Sequence, residues 1–137
     1  MVDERKLKPV SAPWVWTAAD IANRNDWIYR LDGNSISELN NALKIVKDRG
    51  LPMEKVEKSD FPLPSLSKVL GEISKQLENG LGFCLLKGLP IDRYNEGDLE
   101  LIYWGIGTHI GVGVSQSFRG DKLGHVMDMS HTGDIRR

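Results

Sequence analysis

Residues 81–94 read Leu81-Gly-Phe-Cys-Leu-Leu-Lys-Gly-Leu-Pro-Ile-Asp-Arg-Tyr94, and this stretch says most about the fold. Its apolar run, Phe83–Lys87, lies between Gly82 and the turn residues Gly88-Leu-Pro90. A run of this length is too short to propagate a helix, and its apolar character favours a strand buried on both faces. We therefore predict such a strand at 83–87.

Asn95 begins the next predicted element, a helix. Its side chain is typical of an N-cap, and Asp98 stands three residues later. The glycines after Trp104 lower helix propensity, so we expect the helix to end near Thr108 or His109. Its predicted inner face consists of Leu99, Ile102, Tyr103, Ile106 and Ile110.

Two further strands are predicted after this helix. One continues through Ser115, and the other covers residues 123–129, where larger and smaller or polar side chains alternate. Gly120-Asp121 predicts a turn between them. Together with the strand at 83–87, they indicate a sheet.

The first third of the chain predicts a short helix, a strand and a long helix. Thr17–Asp20 resembles a capping box, and Trp27–Leu31 is rich in strand-forming residues. Asp32-Gly33 predicts a turn. Ser35–Glu38 is a second capping-box pattern, and apolar residues then recur at helical spacing as far as Gly50, which is placed to end the helix.

The middle of the chain predicts a connection and another helix. Residues 51–64 contain three prolines and a mixed charge run, so we expect an irregular connection with at most one short helical turn. An apolar stripe then predicts an amphipathic helix that stops at Gly80. Its members are Leu66, Val69, Leu70, Ile73 and Leu77. The outline is an α+β fold with helices packed on part of a sheet, in one domain over 1–137 with a flexible N-terminus at 1–13.

Charge and composition exclude several classes of function. The 137 residues include 18 Lys plus Arg and 19 Asp plus Glu, so no net field of either sign attracts nucleic acid or an anionic membrane. The single cysteine, Cys84, excludes an internal disulfide, and we expect it to be a buried structural thiol. The charged N-terminus and the absence of a long apolar stretch favour a cytoplasmic location with no membrane insertion.

Three histidines lie near three aspartates in the last quarter of the chain, a composition that suits a metal site. Both local pairs, His125 with Asp128 and His131 with Asp134, are three residues apart, whereas ligands on one strand face need a spacing of two. We therefore expect no metal site. His125 is interpreted as a wall or core residue and His131 as a loop residue.

No nucleophile is indicated either. Cys84 lies within a predicted strand with no base beside it, and Ser115 and Ser117 lack the sharp glycine-flanked turn that exposes a catalytic serine. The glycines of 105–113 follow a helix and lack a phosphate-loop lysine, so we expect them to permit tight packing or a bend. The tryptophans are expected to be core or interface anchors.

Four segments nevertheless resemble one enzyme family, the TauD/TfdA-like (taurine dioxygenase, clavaminate synthase-like) Fe(II)- and 2-oxoglutarate-dependent dioxygenases. The resemblance covers about residues 14–128, the N-terminal half of the family's fold. It implies the N-terminal part of a double-stranded β-helix, or jelly roll. The segments are Gly82–Asp92, Tyr103–Gly111, Val114–Gln116 and Gly120–Asp128.

The resemblance also implies cofactors and a site. Family members hold iron with a His-x-Asp pair and a distant histidine, and bind 2-oxoglutarate with an arginine and a threonine. All of these would lie beyond Arg136, and no His-x-Asp occurs in this chain, so no residue is assigned to catalysis, metal or cofactor. Ser115 and Gln116 are expected to line the pocket of the complete enzyme. Asparagine commonly follows this pair in relatives, whereas Ser117 stands here.

Two hypotheses of function follow. The first is the N-terminal portion of a dioxygenase-like oxidoreductase that acts on a small organic substrate, inactive alone and binding neither Fe(II) nor 2-oxoglutarate by itself. The second is a binding or oligomerisation module derived from that fold. Physical reasoning favours the first, because a barrel cut partway leaves apolar strand faces uncovered and strand edges unpaired, both of which promote self-association or aggregation.

Overall fold

The computed structural model describes residues 8–128 of the chain. The helices are α1 (Ala18–Ile21), α2 (Gly33–Arg49), α3 (Leu66–Asn79) and α4 (Glu96–Thr108). The strands are β1 (Ile28–Arg30) and β2 (Leu85–Lys87), and single 3-10 turns form at Met53–Lys55, Lys58–Asp60 and Ile91–Arg93. The predicted α+β class is confirmed. Residues 1–7 and 129–137 are outside the described part, so the flexible N-terminus and the placement of His131 and Asp134 stay predictions.

The two strands form a small parallel sheet. Ile28 lies opposite Leu85, Tyr29 opposite Leu86 and Arg30 opposite Lys87. Tyr29 and Leu86 pack against the helical core, whereas Leu85 is 40% exposed. The prediction of a strand buried on both faces is therefore wrong, because Leu85 and Lys87 on one face of β2 are exposed.

The core lies between α2, α3 and α4. Apolar residues at helical spacing supply most of it, as the stripes of α2 and α3 predict. The buried residues of α2 are Leu39, Ala42, Leu43 and Val46, those of α3 are Leu66, Leu70 and Ile73, and α4 contributes Ile102. Tyr103, which the sequence placed on the inner face of α4, is 69% exposed instead. No helix within residues 8–128 is long and apolar enough to cross a membrane.

The start of α2 corrects one sequence assignment. Asp32 is the N-cap, since its carboxylate accepts a hydrogen bond of 2.8 Å from the backbone N–H of Ser35. The helix therefore begins at Gly33, and the predicted turn and the Ser35 cap are wrong. Gly50 ends the helix in the left-handed conformation, as predicted, with φ of 61°.

Glu38 acts as a cap for a different helix. Its two carboxylate oxygens accept hydrogen bonds of 2.9 Å from the backbone N–H groups of Ser65 and Leu66, at the start of α3. Burial acts to raise the pKa of Glu38, but these hydrogen bonds from Leu66 and Ser65 outweigh it and hold the pKa below its ordinary value of 4.5. The carboxylate thus joins α2 to the otherwise unpaired N–H groups of α3.

The connection at 51–64 differs from its prediction. It contains two 3-10 turns where at most one was expected, and Val56, Phe61 and Leu63 are buried in the core. The prolines prevent a continuous α-helix, whereas a 3-10 turn fits between them. The segment is therefore a structural part of the core and more than a linker.

Contacts from α4 hold this connection in place. The indole Nε1 of Trp104 donates to the Val56 carbonyl at 3.0 Å, and Nε2 of His109 lies 2.7 Å from the Phe61 carbonyl oxygen. Between them, Gly105 faces the fully buried ring of Phe61, and a Cβ at this glycine would lie 2.5 Å from ring atoms. This glycine permits tight packing, as expected from the sequence.

The two strands predicted after α4 do not form in the described residues. Residues 111–116 and 122–128 are irregular, and Gln116 N–H donates to the Asp121 carbonyl across a loop. Strands require a neighbouring strand for their backbone hydrogen bonds, and residues 8–128 supply none here. The predicted turn before Asp121 is present, with Gly120 at φ of 84°.

We expect Gly105→Ala to destabilise the fold by about 1–3 kcal/mol, because the added methyl group overlaps the immobile Phe61 ring. Gly107→Ala is the matched control on the same helix: a Cβ there meets nothing within 4 Å, so the free energy of unfolding should stay unchanged or rise by up to about 1 kcal/mol. Urea unfolding of both variants measures the difference. Equal stability of the two would contradict the Phe61 contact.

Removing the charge of Glu38 should weaken the start of α3. Glu38→Gln keeps one acceptor oxygen of the two, so we expect a loss of about 1–2 kcal/mol at pH 7. The lowered pKa means that the carboxylate stabilises the fold above pH 4.5 and that this contribution is lost as pH falls below it.

Thermal melts of Glu38→Gln and the native chain should therefore converge below pH 4.5. Glu54→Gln, a change at an exposed glutamate in the same half of the chain, is the control and should melt like the native protein. If the difference in melting temperature between Glu38→Gln and the native chain grows on acidification, Glu38 does not cap α3.

Candidate functional site

Ser115 and Gln116, the residues predicted to line a pocket, lie on an exposed loop after α4. The Ser115 hydroxyl donates to the Ser117 carbonyl at 3.0 Å, and the Gln116 side-chain amide donates to the Val114 carbonyl at 3.1 Å. Both side chains therefore bond within the loop. Their role in a complete pocket stays a prediction.

Ser117 organises this loop. Its hydroxyl donates to the Asp121 carboxylate at 2.8 Å and accepts from the backbone N–H groups of Arg119 and Asp121 at 3.2 Å. Ser117 stands at the position where the family resemblance implies asparagine. In the structure the hydroxyl links both ends of the loop.

An apolar cavity of about 350 Å³ lies beside this loop. Its walls are the last two turns of α4, the glycine-containing segment after it, and Lys122 and Leu123. Gly113 packs against the Trp104 indole so closely that a Cβ would lie 2.8 Å from the ring. The glycine is therefore what lets the chain bend over Trp104 to form this wall.

A larger groove of about 730 Å³ lies on the other side of α4. It is lined by residues of the 51–64 connection, by Ser67 and Lys68 of α3, and by His109. Because a carbonyl only accepts, the Nε2 of His109 that faces Phe61 carries a hydrogen and donates it to the carbonyl oxygen. Its Nδ1 is buried and has no hydrogen-bond partner. His109 thus helps to attach α4 to the 51–64 connection.

His125 is exposed and paired with Glu100, which corrects its interpretation as a wall or core residue. Its Nε2 lies 2.6 Å from Glu100 Oε1, and its side chain is 48% exposed. The hydrogen bond to Glu100 and the charge of Glu100, with smaller effects from Glu96 and Asp121, raise the pKa of His125 above its ordinary value. Negative charge from three carboxylates thus acts on one imidazole.

Glu96, Glu100 and His125 also form the group in residues 8–128 that could hold a metal ion. One potential ligand atom from each lies within 4.8 Å of the other two. The sequence pattern did not reveal this group, because its histidine lies 25 residues beyond Glu100 in a different segment. The signal was the pair Glu96 and Glu100, four residues apart on one face of a well-predicted helix.

The family's Fe(II) site does not fit the described residues. That site needs two imidazoles and one carboxylate around a single point. Here His109 bonds to the Phe61 carbonyl while His125 pairs with Glu100, and no group in residues 8–128 brings two histidines together. The described residues therefore do not assemble the two-histidine set.

Cys84 is partly buried and packs against the helical core beside Tyr29. Burial raises its pKa above the ordinary value, which favours the protonated thiol. A thiolate is the reactive form, so the environment agrees with a structural residue. Cys84 was expected to be buried, whereas in the structure its side chain is only partly buried.

Two curated proteins are similar to most of this chain. FR-33289 synthase from Streptomyces rubellomurinus is 27% identical over 121 residues, which make up 88% of this chain and 36% of that protein. Taurine hydroxylase-like protein SAT17 from Stachybotrys chartarum is 29% identical over 117 residues, 84% of this chain and 30% of that protein. No protein-family model matches the chain.

The chain thus spans about a third of the length of the curated relatives it matches. Each similarity covers more than four fifths of the residues of this chain. They support a relation to TauD-like, hydroxylase-type oxidoreductases.

Proposed function

We propose that this chain is the N-terminal portion of a non-haem Fe(II)- and 2-oxoglutarate-dependent dioxygenase-like oxidoreductase that acts on a small organic substrate. The similarity to a taurine hydroxylase-like protein over 84% of the chain carries the proposal. The four segments that resemble the TauD/TfdA-like family add to it. Their residues lie mainly in β2, in α4 and in the segment that follows α4.

The chain's own contribution is a scaffold. Residues 8–128 bring together no two histidines for iron. The resemblance implies that the arginine and threonine for 2-oxoglutarate also lie further along the chain. We therefore propose that the cofactor site is supplied by chain outside this sequence. On this proposal the 137 residues alone have no dioxygenase activity.

Exposed apolar side chains after α4 support the proposal that further chain packs on this part of the fold. Val112 is 92% exposed and Phe118 is 90% exposed, and both belong to the irregular segment after α4. Val114, Val126 and Met127 in the same segment are also exposed. We call this set the C-terminal apolar surface. Several exposed apolar side chains in one segment are typical of a surface that another structure covers.

A second candidate function rests on the same surface. In the absence of further chain, two copies could cover the C-terminal apolar surface of each other, which would make the chain a self-associating module. Phe118 is the largest side chain of the set, and its ring has a cationic partner in Arg119, 5.3 Å from the ring centre. Association by this route would be driven by apolar burial.

The first candidate predicts inactivity of the isolated chain and activity of a longer one. The 137 residues incubated with Fe(II), ascorbate and 2-oxoglutarate should form no succinate above a protein-free control. A polypeptide extended through the downstream reading frame should contain His-x-Asp and a later histidine, and should form succinate. Metal-dependent turnover by the 137 residues, or a downstream frame without these ligands, would contradict the proposal.

If the chain is a self-associating module, its apparent mass should rise with protein concentration. Light scattering after size-exclusion chromatography measures this mass. Phe118→Ser combined with Val126→Ser should shift the protein towards monomer, because both side chains are exposed on the C-terminal apolar surface. Val10→Ser, which removes an apolar side chain that is 68% exposed elsewhere, is the control and should leave the mass unchanged. A monomer at every concentration would rule out this candidate.

A further inference from the structure

Glu96, Glu100 and His125 converge from two separate parts of the chain. Glu96 and Glu100 are four residues apart on α4, so their side chains share one face of the helix. His125 comes from the irregular segment, 25 residues further along, and approaches the same face. Ligand atoms from all three lie within 4.8 Å of one another.

The donor set suits a transition-metal dication. Imidazole nitrogen and carboxylate oxygen both bind Zn²⁺, at about 2.0–2.2 Å. Atoms that share one metal at these lengths are about 3–4 Å apart, so Nε2 of His125 and Oε1 of Glu100 must separate from their 2.6 Å by several tenths of an ångström. Both side chains are exposed enough to do so, at 48% and 33%.

The negative charge of the two glutamates also favours a bound dication. Two carboxylates four residues apart on a helix repel each other, and a dication bound between them removes that repulsion. Asp121 adds a further negative charge near His125. Lys47 binds Asp98 at 2.8 Å, so the lysine is engaged with a different carboxylate of α4. The neutral imidazole and two carboxylates leave a net charge of about −2 for the ion to offset.

We propose that Glu96, Glu100 and His125 form a surface site for Zn²⁺ or a similar dication, which fastens the segment around His125 to α4. The site differs in ligands from the Fe(II) site of the proposed family, since it has one histidine and two glutamates. It lies wholly within this chain and does not depend on the proposed function. Three protein ligands leave a fourth tetrahedral position for water.

The site should select zinc over magnesium. Magnesium prefers oxygen ligands in an octahedral arrangement and keeps most of its water, whereas an imidazole suits zinc, copper and nickel. Millimolar Mg²⁺ should therefore leave zinc binding unchanged. Displacement of zinc by Mg²⁺ at a concentration equal to that of zinc would show that the carboxylates bind the ion without the imidazole. That result would contradict the proposal.

Calorimetric titration of the chain without a polyhistidine tag tests the site directly. ZnCl₂ should bind with one ion per chain, and Glu100→Gln and His125→Gln should each weaken binding at least about tenfold, or about 1.4 kcal/mol. Glu72→Gln, at an exposed glutamate of α3, and His131→Gln should bind zinc like the native chain. The variants should melt at the native temperature without zinc, because the exposed ligands contribute little to stability.

A second measurement separates this site from binding elsewhere. Amide exchange of residues 121–128 should slow on addition of zinc in the native chain and not in His125→Gln, because the ion fastens this segment to α4. Absence of saturable binding, or native affinity in His125→Gln, would overturn the proposal. Loss of binding in His131→Gln with full retention in His125→Gln would also overturn it.

Discussion

The packing of Phe61 against Gly105 is the contact on which the rest of the structure depends. The ring of Phe61 is fully buried and occupies the space where any other residue at 105 would place its Cβ. Trp104 and His109 flank this contact and engage the carbonyls of Val56 and Phe61. Because a buried carbonyl without a partner is costly, these side chains make the docking of the connection onto α4 specific.

The docking of the 51–64 connection onto α4 positions the neighbouring helices. The 51–64 connection joins α2 to α3, and the Glu38 carboxylate of α2 caps the first N–H groups of α3. With α4 held against the connection, its other face carries the apolar cavity beside Trp104 and the group of Glu96, Glu100 and His125. The surfaces that bear on function therefore all belong to α4 and the segment after it.

Local signals predicted much of this fold. Asn95 caps α4 by accepting from Asp98 N–H at 2.8 Å, Gly50 ends α2, and the apolar stripe of α3 is buried as its spacing indicates. These features depend on residues a few positions apart, so the sequence is sufficient. The α+β class followed from them.

Features that depend on distant residues were missed. The Glu38 carboxylate looked like half of a local capping box, but its partners are 27 and 28 residues away. Strands were expected after α4 from alternation alone, although a strand also needs a neighbour, and residues 8–128 provide none there. His125 was assigned to a wall for the same reason, and its pairing with Glu100 of α4 was not visible in the sequence.

Amide hydrogen exchange across the chain tests most directly whether the contact between Phe61 and Gly105 joins α4 to the rest of the core. The account predicts that amides in α4, such as that of Ile102, open with the same free energy as those of Leu43 and Val46 in α2, while residues 111–116 exchange much faster. Separate opening of α4 at a lower free energy than α2 would contradict it.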